Sequence, residues 1–201
     1  MTLSAKDLSF SYPGAGHVLA GVTLSVAPGE RLALRGRSGR GKTTLCRLLA
    51  GHLAPAGGRV LVDGASLDPR ARGPRPVQLL PQHPERAFDP HLRLRRSLAE
   101  AGEGALDPDL LCRLGADPAW LDRLPHELSG GELMRLAVVR AIACAPRYLI
   151  ADESTAMLDA ITQDELWRAL IAWQAERGAG IVLVSHSPAL VARVSTRVLD
   201  L

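Results

Sequence analysis

The chain of 201 residues contains no asparagine, and Lys6 and Lys42 are its only lysines although arginine is plentiful. Without asparagine the Asn-Lys-x-Asp type of run that reads guanine cannot exist, which excludes guanine readout by such a run. The chain also lacks an apolar run of 18 residues. Its longest candidate, Leu136 to Ala145, is interrupted by Arg140, so no helix is expected to span a membrane. The N-terminus has no basic-then-apolar leader, so the chain is expected to stay in the cytosol. The cysteines Cys46, Cys112 and Cys144 form no C-x-x-C pair and fit reduced, buried or half-buried thiols. There is no internal repeat and no low-complexity tract. The formal net charge is only +3, too weak a field to point to nucleic acid as a partner. The length suits one domain that buries about 70% of its unfolded surface.

What is present is concentrated in a few short runs. Gly36-Arg37-Ser38-Gly39-Arg40-Gly41-Lys42-Thr43 fits G-x-x-x-x-G-K-[ST], a loop whose backbone N–H groups cradle nucleotide phosphates. Arg31 to Leu34 before it reads as a short strand, and Thr44 to Ala50 after it as an amphipathic helix. Strand, glycine loop and helix bring bare N–H groups and the positive end of a helix dipole onto one anion. Gly36, Ser38, Gly39, Gly41, Lys42, Thr43 and Thr44 are the expected phosphate contacts. Lys42 is expected to reach the β- and γ-phosphates, and the Thr43 hydroxyl to hold Mg²⁺. A chance glycine turn would not have both flanks right.

Leu128-Ser129-Gly130-Gly131-Glu132 precedes a largely apolar helical run, Leu133 to Ala145. Ser129 as N-cap and Glu132 three residues on form a capping box. The two glycines leave N–H groups facing outward, which makes a second anion site at Ser129, Gly130 and Gly131. An ordinary capped helix is the alternative. Arg147 to Glu153 then reads as an apolar strand ending in two acids, the Walker B arrangement. Asp152 is expected to hold Mg²⁺, and Glu153 to polarise the attacking water as general base.

Taken in order, the P-loop, Leu-Ser-Gly-Gly-Glu, Asp152-Glu153 and a lone His186 after an apolar strand resemble the ATP-binding cassette (ABC) ATPases over essentially the whole chain. The resemblance implies further roles. Tyr12, 24 residues before Gly36, matches the aromatic that stacks on adenine. Gln82 matches the Q-loop glutamine that touches Mg²⁺ and the water and links the site to a membrane partner. Asp159 matches the D-loop aspartate that crosses to a second subunit, and it suits a helix N-cap as well. His186 matches the switch histidine at the γ-phosphate. The chain departs from the family pattern at Ser154, where proline is common, at Ala156, where serine is, and at Glu132, where glutamine is. Gly130 to Arg135, with Pro81-Gln82-His83-Pro84 and Phe88-Asp89-Pro90 upstream, resembles the nickel and oligopeptide importer subfamily, which often has Asn-Pro where this chain has Asp89-Pro90.

The implied fold class is α/β: a P-loop NTPase core with an antiparallel β subdomain and an α-helical subdomain inserted at about residues 84–128, all within one ABC ATPase domain covering residues 1–201. Strands are read at Leu3 to Tyr12, Val22 to Val26, Val60 to Val62 (turning at Asp63-Gly64), Val77 to Leu80, Ile181 to Val184 and Thr196 to Leu201. A helix is read at Asp159 to Ala175, with Trp167 and Trp173 in the core. Loops are read at Pro13 to Gly16 and Asp68 to Pro76. Many relatives continue beyond the last strand, so this chain is minimal or truncated. The implied activity is ATP hydrolysis with Mg²⁺, energising a membrane importer of nickel or other metal chelates or of peptides. Implied partners are transmembrane permease subunits, a second ATPase subunit (a copy or a paralogue) and an extracytoplasmic substrate-binding protein, with no nucleic acid. The implied location is the cytoplasmic face of the membrane. Arg86, Arg93, Arg95 and Arg96 cluster where the family receives the membrane subunit, and a solvated basic face is the alternative. An exporter ATPase and a soluble ABC ATPase acting on nucleic acid or ribosomes are the rival functions. A small-molecule kinase would share the P-loop but have no use for the Ser129 run.

Overall fold

The computed structural model describes residues 2–14, 16–71 and 75–201. Ala15 and residues 72–74, which fall in two of the expected loops, lie outside the described residues. Two sheets organise the chain. The first is antiparallel: β1 (Leu3–Ser11) pairs with β2 (His17–Val26) and β4 (Gly57–Val62), and β4 pairs with the short β5 (Ala65–Ser66), giving the order 2-1-4-5. The β4–β5 turn is Asp63-Gly64, with φ of 54° and 83°, the left-handed pair that matches strand twist in a two-residue hairpin.

The second sheet is parallel. It holds β3 (Arg31–Arg35), β6 (Val77–Leu80), β7 (Tyr148–Asp152), β8 (Gly180–Val184) and β9 (Arg197–Asp200) in the order 6-7-8-3-9. β7 and β8 are buried along their whole length, as strands covered on both faces are. Successive residues serve opposite faces. Leu149, Ala151, Ile181 and Leu183 join a core built with α4 (Gly130–Ala143) and α5 (Ala160–Arg177). Tyr148, Ile150, Val182 and Val184 join a second core with α1 (Lys42–Leu49) and the antiparallel sheet. α1 is thereby buried between the sheets.

Residues 84–128 hold only short elements: 3-10 turns at Pro84–Ala87, Glu103–Leu106, Pro118–Asp122 and Pro125–Glu127, with α2 (Leu94–Ala99) and α3 (Pro108–Arg113). Proline begins four of these six, which suits a helix's first turn and prevents continuation from the preceding one.

Several readings shift. β2 starts at His17 rather than Val22, because pairing with β1 changes register between Leu8 and Phe10 and Gly21 lies at φ 64°. The slip breaks the alternation on which a strand reading depends. α4 begins at Gly130, directly after its cap. The helix α6 (Pro188–Val194), N-capped by Ser187, was not anticipated. Trp167 and Trp173 are core residues. Cys46 is buried and Cys144 half-buried, but Cys112 is exposed, because the short α3 turns it away from the packed side.

Candidate nucleotide site

In a parallel sheet all strands end on the same edge, where α/β folds place their ligands. β3 runs into Gly36, β6 into Gln82, β7 into Asp152 and Glu153, and β8 into Ser185 and His186. The sheet order puts β8 between β3 and β7, so residues distant in sequence meet at that edge.

The P-loop runs into α1 through Gly41, which is at φ 83° and serves as the N-cap. A Cβ at Gly41 would stand 2.8 Å from Leu19 Cδ2 and 3.0 Å from the Val18 carbonyl, so space as well as backbone conformation requires glycine. Lys42 is buried at 7% exposure. Its Nζ donates to the carbonyls of Gly36 at 2.8 Å and Arg37 at 3.1 Å, satisfying a charge that is costly to bury unpaired. The Thr43 hydroxyl donates to Asp152 Oδ1 at 3.3 Å. Burial pushes the Asp152 carboxyl above its ordinary range; Thr43 opposes this, Glu153 adds to it, and Arg47 and Lys42 oppose it. Burial likewise pushes the Cys46 thiol well up, and the charge of Asp152 adds to it.

Glu153 is held in a left-handed conformation, φ 50°, with its N–H donating to the Val184 carbonyl at 3.1 Å. Such a backbone costs roughly 1–3 kcal/mol outside glycine and concentrates at functional sites. Here it swings the side chain out of the sheet. Gln82 Nε2 donates to Glu153 Oε2 at 3.3 Å, and His186 Nε2 lies 2.9 Å from Oε1. Gln82 therefore reaches Glu153 rather than Thr43 or Asp152. Tyr12 follows β1, with its hydroxyl 3.3 Å from Thr44 Oγ1 and its ring edge-on to Phe10 at 4.9 Å. It is 37% exposed, which leaves ring surface for stacking.

A cleft of about 260 Å³ is lined by Ser38, Gly39 and residues 41–44 together with Glu153, His186 and Val18. Sequence reasoning missed Val18. An apolar residue in the half of β2 that the register slip obscures gives no chemical signal.

The second group lies elsewhere. Ser129 accepts from the Glu132 N–H at 3.3 Å, and Glu132 Oε2 accepts from the Ser129 N–H at 2.8 Å, completing the capping box. The Ser129 N–H and hydroxyl hold the Glu132 carboxyl below its usual range. Asp159 caps α5 by accepting from the N–H groups of Ile161 and Thr162, each at 3.0 Å. A Cβ placed on Gly131 would stand 3.6 Å from Thr162 Cγ2 and 3.7 Å from Leu158 Cδ2, so the Ser129–Gly131 turn packs beside the loop that Asp159 ends. Neither that turn nor Asp159 lines the P-loop cleft.

Residues 19–156 match the family model described as ABC transporter. The chain is 33% identical to the probable D,D-dipeptide transport ATP-binding protein DdpF of Escherichia coli (strain K12), over 98% of this chain and 68% of that protein. It is also 33% identical to the nickel import ATP-binding protein NikE of Escherichia coli O157:H7, over 98% of this chain and 82% of that one. Other peptide-transport relatives are longer, and the chain spans 54% of one of them. Among solved structures, the dimeric structure of MJ0796, a bacterial ABC transporter cassette, matches with a TM-score of 0.87 and 24% identity, covering 100% of this chain and 94% of that one.

Proposed function

Because the chain belongs to the ABC transporter family, we propose that it is the ATP-binding and ATP-hydrolysing subunit that energises a membrane importer of peptides or nickel and similar metal chelates. The observation that carries the hydrolytic reading is the setting of Glu153. Its carboxylate is gripped by Gln82 and His186, one residue past a buried aspartate that meets Thr43 beside Lys42. The importer reading is supported by the peptide and nickel importers among the relatives.

In this reading the N–H groups of residues 39–44 and Lys42 hold the phosphates, and Tyr12 stacks on adenine. Thr43 Oγ1 and Asp152 Oδ1 are hard oxygen donors in contact, and among the described residues no group of three His, Cys, Asp or Glu side chains forms a metal cage. That donor set fits Mg²⁺, which binds through few protein ligands plus substrate phosphates. When bound there, Mg²⁺ neutralises phosphate charge. Glu153 takes the proton of the attacking water, His186 steadies the carboxylate from the Oε1 side, and Gln82 on the longer contact yields Oε2 to the water. Lys42 must leave the Gly36 and Arg37 carbonyls to meet the nucleotide.

The Ser129–Gly131 turn does not line the cleft, so a second subunit, a copy or a paralogue, presents its own turn to this P-loop, with Asp159 at the crossing. Hydrolysis removes the γ-phosphate contacts and reopens the pair, a ligand-driven two-state switch. The inserted helical unit at 84–128, next to Gln82, passes the motion to permease subunits at the cytoplasmic membrane face. Among the described residues no helix is long and apolar enough to cross a membrane.

The test is to purify a tagged copy from native membranes in mild detergent and identify its companions by mass spectrometry. Permease subunits, a second ATPase and an extracytoplasmic binding protein would support the importer. Permease subunits without a binding protein would favour an exporter. Ribosomal or DNA-processing companions with no membrane subunit would overturn transport and leave the ATP site standing.

A further inference from the structure

Arg135 sits on α4 shortly after the Ser129–Gly131 turn, with its side chain 14% exposed. Nη1 donates to the Leu114 carbonyl at 2.9 Å and Nη2 donates to Glu165 Oε2 at 2.6 Å. Leu114 is the C-cap of α3, so the guanidinium meets a carbonyl at a helix C-terminus, where backbone acceptors lack helical partners and positive charge is favoured. Glu165 belongs to α5. The contact is close: a Cβ on Gly115 would stand 2.6 Å from Nη1. A rigid fork with several donors can hold both acceptors at once, which a lysine ammonium on a flexible stem does poorly. Arg135 thus ties the end of α3 and the body of α5 to the helix that carries the turn. On its other side the turn packs on Leu158 and Thr162.

We propose that Arg135 is a positioning residue for the anion-binding turn at Ser129, Gly130 and Gly131, fixing it against α3 and α5 so that it meets phosphate in a set geometry. Its effect on turnover rests on the two-subunit reading above, and there it falls on the partner's nucleotide rather than on the chain's own P-loop.

Two measurements test this on the full chain. In hydrogen–deuterium exchange, Arg135→Met is expected to speed exchange several-fold at residues 114–116 and 130–134 and leave residues 42–49 unchanged, with Arg135→Lys intermediate. Unchanged exchange at the first two segments, or a rise spread evenly over the chain, would overturn the proposal. In the second, Arg135→Met alone is expected to lower kcat on the order of tenfold or more with little change in binding of a fluorescent ATP analogue. Mixing it with a Lys42→Ala chain should restore turnover above either alone, because the mixed pair has one site with an intact P-loop and an intact turn. A pair that forms in a Glu153→Gln chain but shows no such restoration would overturn the action across subunits. If Glu153→Gln chains never pair with one another, the second subunit is not a copy of this chain, and the exchange data still judge the positioning role.

Discussion

His186 Nε2 lies 2.9 Å from Glu153 Oε1, although the two residues follow different strands. The pairing exists because β7 and β8 are neighbours, with Asp152 opposite Val184 in register. One residue beyond that register Glu153 turns left-handed and its side chain swings toward the loop after β8.

Glu153→Gln keeps the size of the side chain and an acceptor but removes the base. Turnover is expected to fall about 10²–10⁴-fold, measured as phosphate release, while nucleotide binding persists and a nucleotide-bound pair accumulates in gel filtration. Normal turnover would sink the base assignment.

Gly41→Ala places a methyl group against Leu19 and Val18 at a positive φ. The left-handed conformation alone costs about 1–2 kcal/mol, and contact with Leu19 adds to it. Urea unfolding should show the loss, and ATP should no longer raise the unfolding midpoint. An unaltered midpoint with intact ATP stabilisation would contradict the close approach of β2.

Ser129→Ala removes the N-cap acceptor for the Glu132 N–H, which typically costs about 1 kcal/mol. If the Ser129 hydroxyl also meets phosphate across the pair, kcat falls far more than a change of that size in stability would bring. Stability and kcat measured on one preparation separate the two roles. A stability loss with unchanged kcat would reduce Ser129 to a cap.

Glu132→Gln tests the pH dependence of the same cap. The folded Glu132 carboxyl titrates below its ordinary value, so the stability it contributes is present above about pH 4.3, its unfolded value, and is lost as pH falls through the folded value. The side chain is only partly buried and lies at the surface end of α4, so at neutral pH the wild type should exceed the variant by no more than a few tenths of a kcal/mol. The gap should close on acidification. A gap that widened toward low pH would reverse the sign argued here.

Local chemistry was legible because it depends on neighbours in sequence. The P-loop strand and helix, the Asp63-Gly64 turn, and the caps at Ser129 and Asp159 each follow from residue types a few positions apart. The His17 half of β2 was not legible, since its register slip scrambles the alternation. Nor was α6, whose seven residues carry little periodicity beyond the Ser187-Pro188 start. Arg135 offers no signal as a tie between helices, because both its partners are remote in the chain.

The sequence by itself determined which groups this protein has for binding phosphate and moving a proton, and the order in which they come. Tertiary structure alone decided that Gln82 and His186 grip opposite oxygens of Glu153, and that the Ser129 turn does not line the P-loop cleft. The physical reason is that β7 and β8 are buried along their whole length and β3 over Leu32–Leu34, leaving little in their apolar runs to announce which strand lies beside which. The 6-7-8-3-9 order is set by packing across two cores, and it is this order that brings their ends together.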